Sequence, residues 1–308
     1  MKESFANLGP LRIRYLEADN TSDLVAATSS PLSGDTGIKD MNGEWQQIHQ
    51  IRPHKNSHVL FVHGLGSSAD RWLDIPDALS LLGFHVIAID LPGFGGSDKP
   101  ETMEYTIEEF VKIVEEFVTE FVIDNKNYKE ARTTIIGHSL GGYIAAELAA
   151  RRPELVNKLV LVDSSGMLNG PTPLLLQYLD AAMNPSKEAV RRVFEQLVAD
   201  RIRIPEILVD GFIYRIQQPN AKAAFKLAFE NSTRTQIGTD KLKHISDNNI
   251  PTLIMWGMQD KLIPVEHCFA FERAIRNSRS IILNDAGHAP FAEKPAIFCE
   301  LLHEFLSH

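Results

Sequence analysis

Three residues of this sequence, a serine, an aspartate and a histidine, could together carry out nucleophilic acyl transfer. Ser139 follows an apolar run and lies between glycines, and Asp260 and His288 follow the last two apolar runs of the chain. A serine hydroxyl is a weak nucleophile at neutral pH and needs a nearby base. Histidine suits that role because its pKa lies near 7, and a buried carboxylate can fix the imidazole tautomer. The three residues predict acyl transfer if the fold brings them together.

The sequence around Ser139 predicts a tight turn from a strand to a helix. Gly137 and Gly141 flank the serine, and a helical stretch follows from Tyr143 to Ala150. A serine on such a turn adopts strained backbone angles that push its hydroxyl out of the sheet. We expect a Cβ at Gly137 or Gly141 to collide with a neighbouring strand or helix. The helix would also direct free backbone N–H groups at the serine.

Continuous apolar runs elsewhere in the chain predict strands that are buried on both faces. Such strands are typical of a parallel sheet covered by helices, and helical patterns lie between the runs. In an open sheet of this kind, ligands bind at the carboxyl ends of the strands. The residues that follow the runs are therefore expected at one edge of the sheet. The runs are Val59 to Val62, Val86 to Ile89, Leu159 to Val162, Leu253 to Trp256 and Ile281 to Leu283.

The region between residues 167 and 249 contains no strand-like run and predicts a helical insertion. We therefore predict an α/β fold with a doubly wound, mostly parallel sheet and an inserted helical lid. The core domain would comprise residues 1–166 and 250–308, and the lid residues 167–249. The predicted lid helices are Leu174 to Met183, Ser186 to Val198, Ile207 to Ile216 and Ala221 to Phe229.

Two further kinds of pattern predict a pair of strands near the start of the chain and the first residues of two helices. Leu11 to Leu16 alternates apolar and polar residues, which predicts a half-exposed strand. Glu44 to Ile51 could pair with it as an antiparallel hairpin, across a long polar connection from Glu17 to Gly43. Thr106 begins a capping box that predicts a helix start, and Pro295 predicts the first turn of the last helix.

Charge and composition narrow the class of partner. The net charge of −9 argues against nucleic acid and anionic membranes, which favour basic surfaces. Cys268 and Cys299 lie in predicted helices and form no metal or disulfide pattern, and the N-terminal residues lack the apolar segment of a secretory signal. We predict a soluble, cytoplasmic protein with a small-molecule substrate, no cofactor and no metal. The oligomeric state stays open.

Several motifs together resemble the α/β-hydrolase superfamily, and the resemblance extends over the whole chain. His63-Gly64-Leu65-Gly66 is similar to the oxyanion loop, and residues 137–142 (G-H-S-L-G-G) are similar to the nucleophile elbow. Residues 90–97 (D-L-P-G-F-G-G-S) resemble a loop of the lid-bearing esterase and C–C hydrolase branch. Residues 257–264 and Gly287-His288 resemble the loops that carry the acid and the base.

The resemblance implies a role for each candidate residue. Ser139 would be the nucleophile, His288 the base and Asp260 the acid that orients the base. The oxyanion would be bound by the backbone N–H groups of Leu65 and Leu140. Asp163 is an alternative acid, because it also follows a strand and some relatives place the acid there.

Three other polar residues at strand ends are expected to have structural roles. We expect His63 to hold the oxyanion loop through hydrogen bonds and His138 to be structural. Asp90 is expected to anchor a loop.

The resemblance also implies hydrolysis of carboxylic esters of small to medium hydrophobic substrates through an acyl-enzyme. A C–C hydrolase acting on vinylogous diketo acids is an alternative. Such enzymes usually have a tryptophan after the histidine, where this chain has Ala289, and G-N-S-M-G-G around the serine. A ligand receptor of the same fold with negligible turnover is a further alternative, because fold alone does not fix function.

Overall fold

The computed structural model describes residues 1–18, 57–122, 132–200 and 202–307, together with two short backbone strands at 37–39 and 45–47. An eight-stranded sheet lies at the centre of these residues. Its strands are β1 (Lys2–Leu8), β2 (Leu11–Ala18), β5 (Ser57–Val62), β6 (Phe84–Ile89), β7 (Thr133–His138), β8 (Val156–Val162), β9 (Thr252–Gly257) and β10 (Ser278–Leu283). The short strands β3 (Gly37–Lys39) and β4 (Trp45–Gln47) pair with each other.

The sheet is parallel except at one edge. The strand order is β1-β2-β6-β5-β7-β8-β9-β10. Strands β5 to β10 pair in parallel, whereas β1 and β2 are antiparallel to their neighbours. This confirms the predicted fold class, a mostly parallel sheet whose strands end at a common edge.

Helices cover both faces of the sheet. In β5, Leu60 and Val62 belong to one buried apolar cluster, whereas Val59 and Phe61 belong to a second cluster on the other side. The apolar runs of β5, β6, β8 and β9 thus reflect burial on both faces. The prediction is wrong for Ile281 to Leu283, which are only partly buried because β10 is an edge strand. The helices are α1 (Ile75–Leu81), α2 (Ile107–Phe117), α3 (Leu140–Arg151), α4 (Pro173–Met183), α5 (Lys187–Leu197), α6 (Glu206–Ile216), α7 (Ala221–Arg234), α8 (Thr239–Asp247), α9 (Glu266–Ala274), α10 (Pro290–Glu293) and α11 (Pro295–Ser307).

The predicted pairing at the start of the chain is wrong. Strand β2 pairs with β1, which the sequence interpretation missed, and with β6. Gly9, at φ 54°, makes the tight turn between β1 and β2 and sets Leu8 opposite Leu11. A short loop costs less closure entropy than the long connection that the prediction required. Most of residues 17–43 and 44–51 lies outside the described residues.

Helices α4 to α8 (residues 173–247, called here the helical insertion) lie between β8 and β9. Four of the five match predicted helices within a few residues at each end, and α8 was not predicted. No strand occurs among the described residues of this segment, as predicted. Whether it is a separate lid stays a prediction.

Two predicted helix starts are confirmed. The side chains and backbone N–H groups of Thr106 and Glu109 bond reciprocally at the start of α2, and Pro295 begins α11. Across the part of the chain that is described, no helix is both long and apolar enough to cross a bilayer.

The turn after β7 gives the first testable prediction. A Cβ on Gly137 would lie 2.2 Å from the carbonyl oxygen of Gly141, which is rigid backbone. Gly137→Ala should therefore lower the free energy of unfolding by about 3 kcal/mol, measured by urea denaturation, because the turn must shift.

Gly238→Ala is the matched control. A Cβ there meets nothing within 4 Å, so the change should stay below about 1 kcal/mol. Equal stability of the two variants would contradict the close approach at Gly137.

Candidate active site

Ser139 lies at the junction of β7 and α3 in a strained conformation. Its backbone angles are φ 54° and ψ −118°, which residues other than glycine rarely adopt. Backbone hydrogen bonds stabilise this strained conformation. The Ser139 N–H donates to Val162 O at 3.0 Å, and its carbonyl accepts from Gly142 N and Ser165 N, each at 3.0 Å. The turn predicted from the sequence is therefore present.

His288 and Asp260 are hydrogen-bonded to each other. The His288 Nδ1–H donates to Asp260 Oδ2 at 2.7 Å, with both side chains buried. The other carboxylate oxygen, Oδ1, accepts from Leu262 N at 2.8 Å and Ile263 N at 3.0 Å. These bonds fix the carboxylate and leave Nε2 as the free nitrogen of the imidazole.

Asp163, the alternative acid, occupies a different position in this cluster. Its Oδ1 accepts from Gly257 N at 2.9 Å. Its Oδ2 is buried and has no hydrogen-bond partner among the described residues. Burial, together with the negative charge of Asp260, raises the pKa of Asp163 well above its ordinary value. This shift favours the protonated form of Asp163, which lies behind Asp260.

One nitrogen or oxygen atom from each of Asp163, Asp260 and His288 lies within 4.8 Å of the others, a spacing that could also suit a metal ion. Hydrogen bonds account for the positions of Asp260 and His288, because Asp260 accepts three and one of these comes from the imidazole. Asp163 is held separately, by the N–H of Gly257. We therefore interpret Asp260 and His288 as a hydrogen-bonded acid–base pair with Asp163 beside it.

The loop of His288 is held by its backbone. His138 donates its Nε2–H to the carbonyl of His288 at 2.7 Å, and the N–H of His288 donates to Leu197 O at 2.6 Å. Burial lowers the pKa of His138 well below its ordinary value, which keeps this ring neutral. His138 therefore has the structural role expected from the sequence, and Leu197 ties the loop to the helical insertion.

Glu293 is a buried residue that the sequence interpretation missed. Its carboxylate accepts from the N–H groups of Gly287, Ala289 and Ala199 at 2.8–3.0 Å. It thus connects both neighbours of His288 to the helical insertion. No local motif marks this residue, because one of its partners, Ala199, is 94 positions away in sequence.

The loop from His63 to Gly66 (called here the oxyanion loop, after the family motif that it resembles) approaches Ser139 closely. A Cβ on Gly64 would lie 2.9 Å from the Ser139 Cβ. His63 donates Nδ1–H to Gly64 O at 2.8 Å and accepts the Leu91 N–H at Nε2, 3.0 Å away. Its pKa is lowered by burial, so the ring is neutral. These are the hydrogen bonds expected of His63.

Two more residues fix the surroundings of this loop. Asp90 is fully buried and accepts from Ala69 N at 2.6 Å and Gly96 N at 2.7 Å, so it anchors a loop as expected. Tyr178, from α4 of the helical insertion, donates its hydroxyl to Leu65 O at 3.1 Å. This contact was not predicted from the sequence.

Ser139 and His288 line the same cavity, of about 90 Å³. Leu65, one of the two predicted oxyanion donors, lines it as well, and Leu140 is the first residue of α3, where the backbone N–H has no helical acceptor. Most of the remaining lining is apolar and comes largely from the helical insertion. It includes Leu175, Tyr178, Phe194, Leu197, Val198, Ile204, Leu208, Phe212, Leu262, Ala289 and Phe291, with Arg71 and Arg215 as the charged members.

The family follows from a comparison with known proteins. A family model for the alpha/beta hydrolase fold matches residues 57–295. This chain belongs to the α/β-hydrolase family. The match begins at β5 and includes the oxyanion loop, Ser139, Asp260 and His288.

Individual relatives agree with this family. The chain is 29% identical to Lipase 3 of Moraxella sp. over 239 residues, which are 76% of this chain and 72% of that protein. It is 30% identical to an uncharacterized hydrolase, YugF, of Bacillus subtilis over 84% of this chain and 92% of that protein.

A solved structure shows the same fold. The 2-hydroxy-6-oxo-6-phenylhexa-2,4-dienoate hydrolase of Rhodococcus sp. superposes with a TM-score of 0.78 at 21% identity. The superposition covers 100% of this chain and 99% of that one. At this identity the likeness supports the fold and not the substrate.

The raised pKa of Asp163 gives the second prediction. A carboxyl group whose pKa is raised by folding stabilises the protein below its unfolded pKa, near 4, and this stabilisation is lost as the pH rises through the folded pKa. Asparagine cannot ionise. From pH 5 to pH 8, the free energy of unfolding should therefore fall less for Asp163→Asn than for the wild type in urea titrations.

Asp285→Asn, a change on an exposed side chain of the neighbouring turn, is the control and should leave the pH dependence unchanged. Parallel pH profiles for the wild type and Asp163→Asn would show that Asp163 is already ionised in the folded protein.

Proposed function

We propose that this protein is a serine hydrolase that cleaves carboxylic esters of small to medium hydrophobic substrates through an acyl-enzyme intermediate. The observation that carries the proposal is the shared cavity of Ser139 and His288, with Asp260 hydrogen-bonded behind the imidazole. The name of the related Moraxella lipase supports ester cleavage as the reaction.

In the proposed reaction, the Ser139 hydroxyl attacks the ester carbonyl carbon while Nε2 of His288 accepts its proton. The carboxylate of Asp260 stabilises the imidazolium through the bond at Nδ1. The same proton then passes from Nε2 to the leaving alcohol as the C–O bond breaks. In the second half of the reaction, a water molecule attacks the acyl carbon while Nε2 of His288 accepts one of its protons. That proton passes to Ser139 Oγ as the bond between Oγ and the acyl carbon breaks and the acid leaves.

The negative oxygen of the tetrahedral intermediate would be bound by the backbone N–H groups of Leu65 and Leu140. The close approach of Gly64 to Ser139 supports this assignment, because it brings the oxyanion loop against the nucleophile. Such donors typically contribute about 3 kcal/mol each to transition-state stabilisation.

The two alternative functions have less support. The residue after His288 is Ala289, which lines the cavity where a C–C hydrolase usually has tryptophan. A receptor with negligible turnover would not need the hydrogen bond that sets the tautomer of His288. The ester hydrolase therefore has the most support.

The proposal predicts hydrolysis of p-nitrophenyl esters of short and medium acids, graded by acyl length. Ser139→Ala should lower kcat by about 1,000-fold or more, because no nucleophile remains. Ser67→Ala removes another hydroxyl from the same cavity and should change kcat by less than about threefold.

Two other outcomes of these assays would favour one of the alternative functions. Turnover of a ring-cleavage dienoate without ester turnover would favour the C–C hydrolase. Tight ligand binding with negligible turnover of either substrate would favour the receptor.

A further inference from the structure

Two arginines line the cavity that contains Ser139 and His288. Arg71 lies just after the oxyanion loop in a short 3₁₀ segment (Ala69–Trp72), and Arg215 lies in the last turn of α6, within the helical insertion. Among the described residues, no carboxylate forms a salt bridge with either guanidinium. The Nε of Arg215 is buried and has no hydrogen-bond partner in that part of the chain.

Both side chains are cations at neutral pH, although their surroundings disfavour the charge. Burial, reinforced by the positive charge of Arg215, lowers the pKa of Arg71 to about 10. Burial also lowers the pKa of Arg215. Leaving two partly buried cations without an anion costs free energy, which a bound anion would recover.

Another arginine of the chain shows the contrast. Arg14 is also largely buried, but it pairs with Asp70 and Asp90 at 2.9 Å and with Glu3. Carboxylates thus neutralise a buried arginine elsewhere in the protein. At the cavity it leaves two guanidinium groups available to a ligand.

We propose that the substrate is an ester whose apolar body carries one free carboxylate, and that Arg71 and Arg215 bind that carboxylate. The proposal rests on the serine hydrolase function proposed above and narrows its substrate class. A guanidinium fork matches a carboxylate with two parallel hydrogen bonds. The apolar lining, such as Leu175 and Phe194, would contact the body of the substrate.

Two electrostatic effects define the subsite further. The charges of Asp70 and Asp90 only partly offset the effect of burial on Arg215, and both carboxylates are already paired with Arg14. Burial chiefly lowers the pKa of His138, the residue before Ser139, and the charge of Arg71 contributes. The carboxylate subsite lies in the same cavity as the nucleophile, because both arginines line that cavity with Ser139.

The kinetic test compares p-nitrophenyl hydrogen adipate with its methyl ester, which has the same chain without the charge. The wild type should hydrolyse the acid with a kcat/KM about tenfold higher. In Arg71→Gln and Arg215→Gln, the ratio of kcat/KM for the acid to kcat/KM for the methyl ester should fall about tenfold, to near one, because the preference depends on the guanidinium charge. Arg192→Gln, on an exposed side chain of α5, should change neither.

A binding test removes the dependence on turnover and on the folding of variants. Hexanoate should raise the Tm of the wild-type protein and hexanamide should not, because only the carboxylate can pair with the arginines. The Arg71→Gln and Arg215→Gln proteins should lose the shift, whereas Arg192→Gln should keep it.

The outcomes separate the two proposals. Equal shifts with hexanoate and hexanamide, or equal kcat/KM for the two adipates, overturn the carboxylate subsite while ester hydrolysis stands. A shift that depends on the arginines, without hydrolysis of any ester, supports the subsite and contradicts the proposed function. If the glutamine variants fail to fold, the wild-type comparison of hexanoate with hexanamide decides the question.

Discussion

The candidate site depends on one buried hydrogen bond, between Nδ1 of His288 and Oδ2 of Asp260. A buried carboxylate is costly unless its charge is satisfied. Here the backbone N–H groups of Leu262 and Ile263 satisfy one oxygen, and the imidazole satisfies the other. Asp163 lies behind this pair, and its raised pKa favours its protonated form. The protonated form places no second negative charge beside the imidazole, which suits the proposed role of His288.

The sheet brings these groups together because its parallel strands end at one edge. Ser139 follows β7, and the loops with Asp260 and His288 follow β9 and β10. The loops after β9 and β10 can pack closely because residue 257 is glycine. A Cβ on Gly257 would lie 1.9 Å from Gly287 O. The helical insertion completes the arrangement, since Leu197 accepts the N–H of His288. The cavity is thus built jointly by the sheet edge and the insertion, so movement of the insertion would alter both access and the position of the base.

Local patterns in the sequence predicted the buried strands and the turn at Ser139, because each depends on neighbouring residues. The structural role of His63 was predicted from its place at a strand end, although one of its hydrogen bonds reaches Leu91, 28 residues away. Contacts between distant segments could not be predicted in this way. Glu293 reaches Ala199, and Arg71 and Arg215 meet at one cavity only after the insertion folds over the sheet. The first hairpin was assigned to the wrong partner for a related reason. The alternating pattern indicates a strand without identifying the strand that pairs with it.

The most direct test of the account is the rate at which a fluorophosphonate modifies the protein, with the modified peptide identified by mass spectrometry. The account predicts modification at Ser139 and a rate about 1,000-fold lower in Asp260→Asn, because the amide would impose the wrong imidazole tautomer. Asp163→Asn should retain the wild-type rate within about tenfold, since asparagine resembles the neutral acid. Modification at another residue, or an unchanged rate in Asp260→Asn, would contradict the central role of the Asp260–His288 bond.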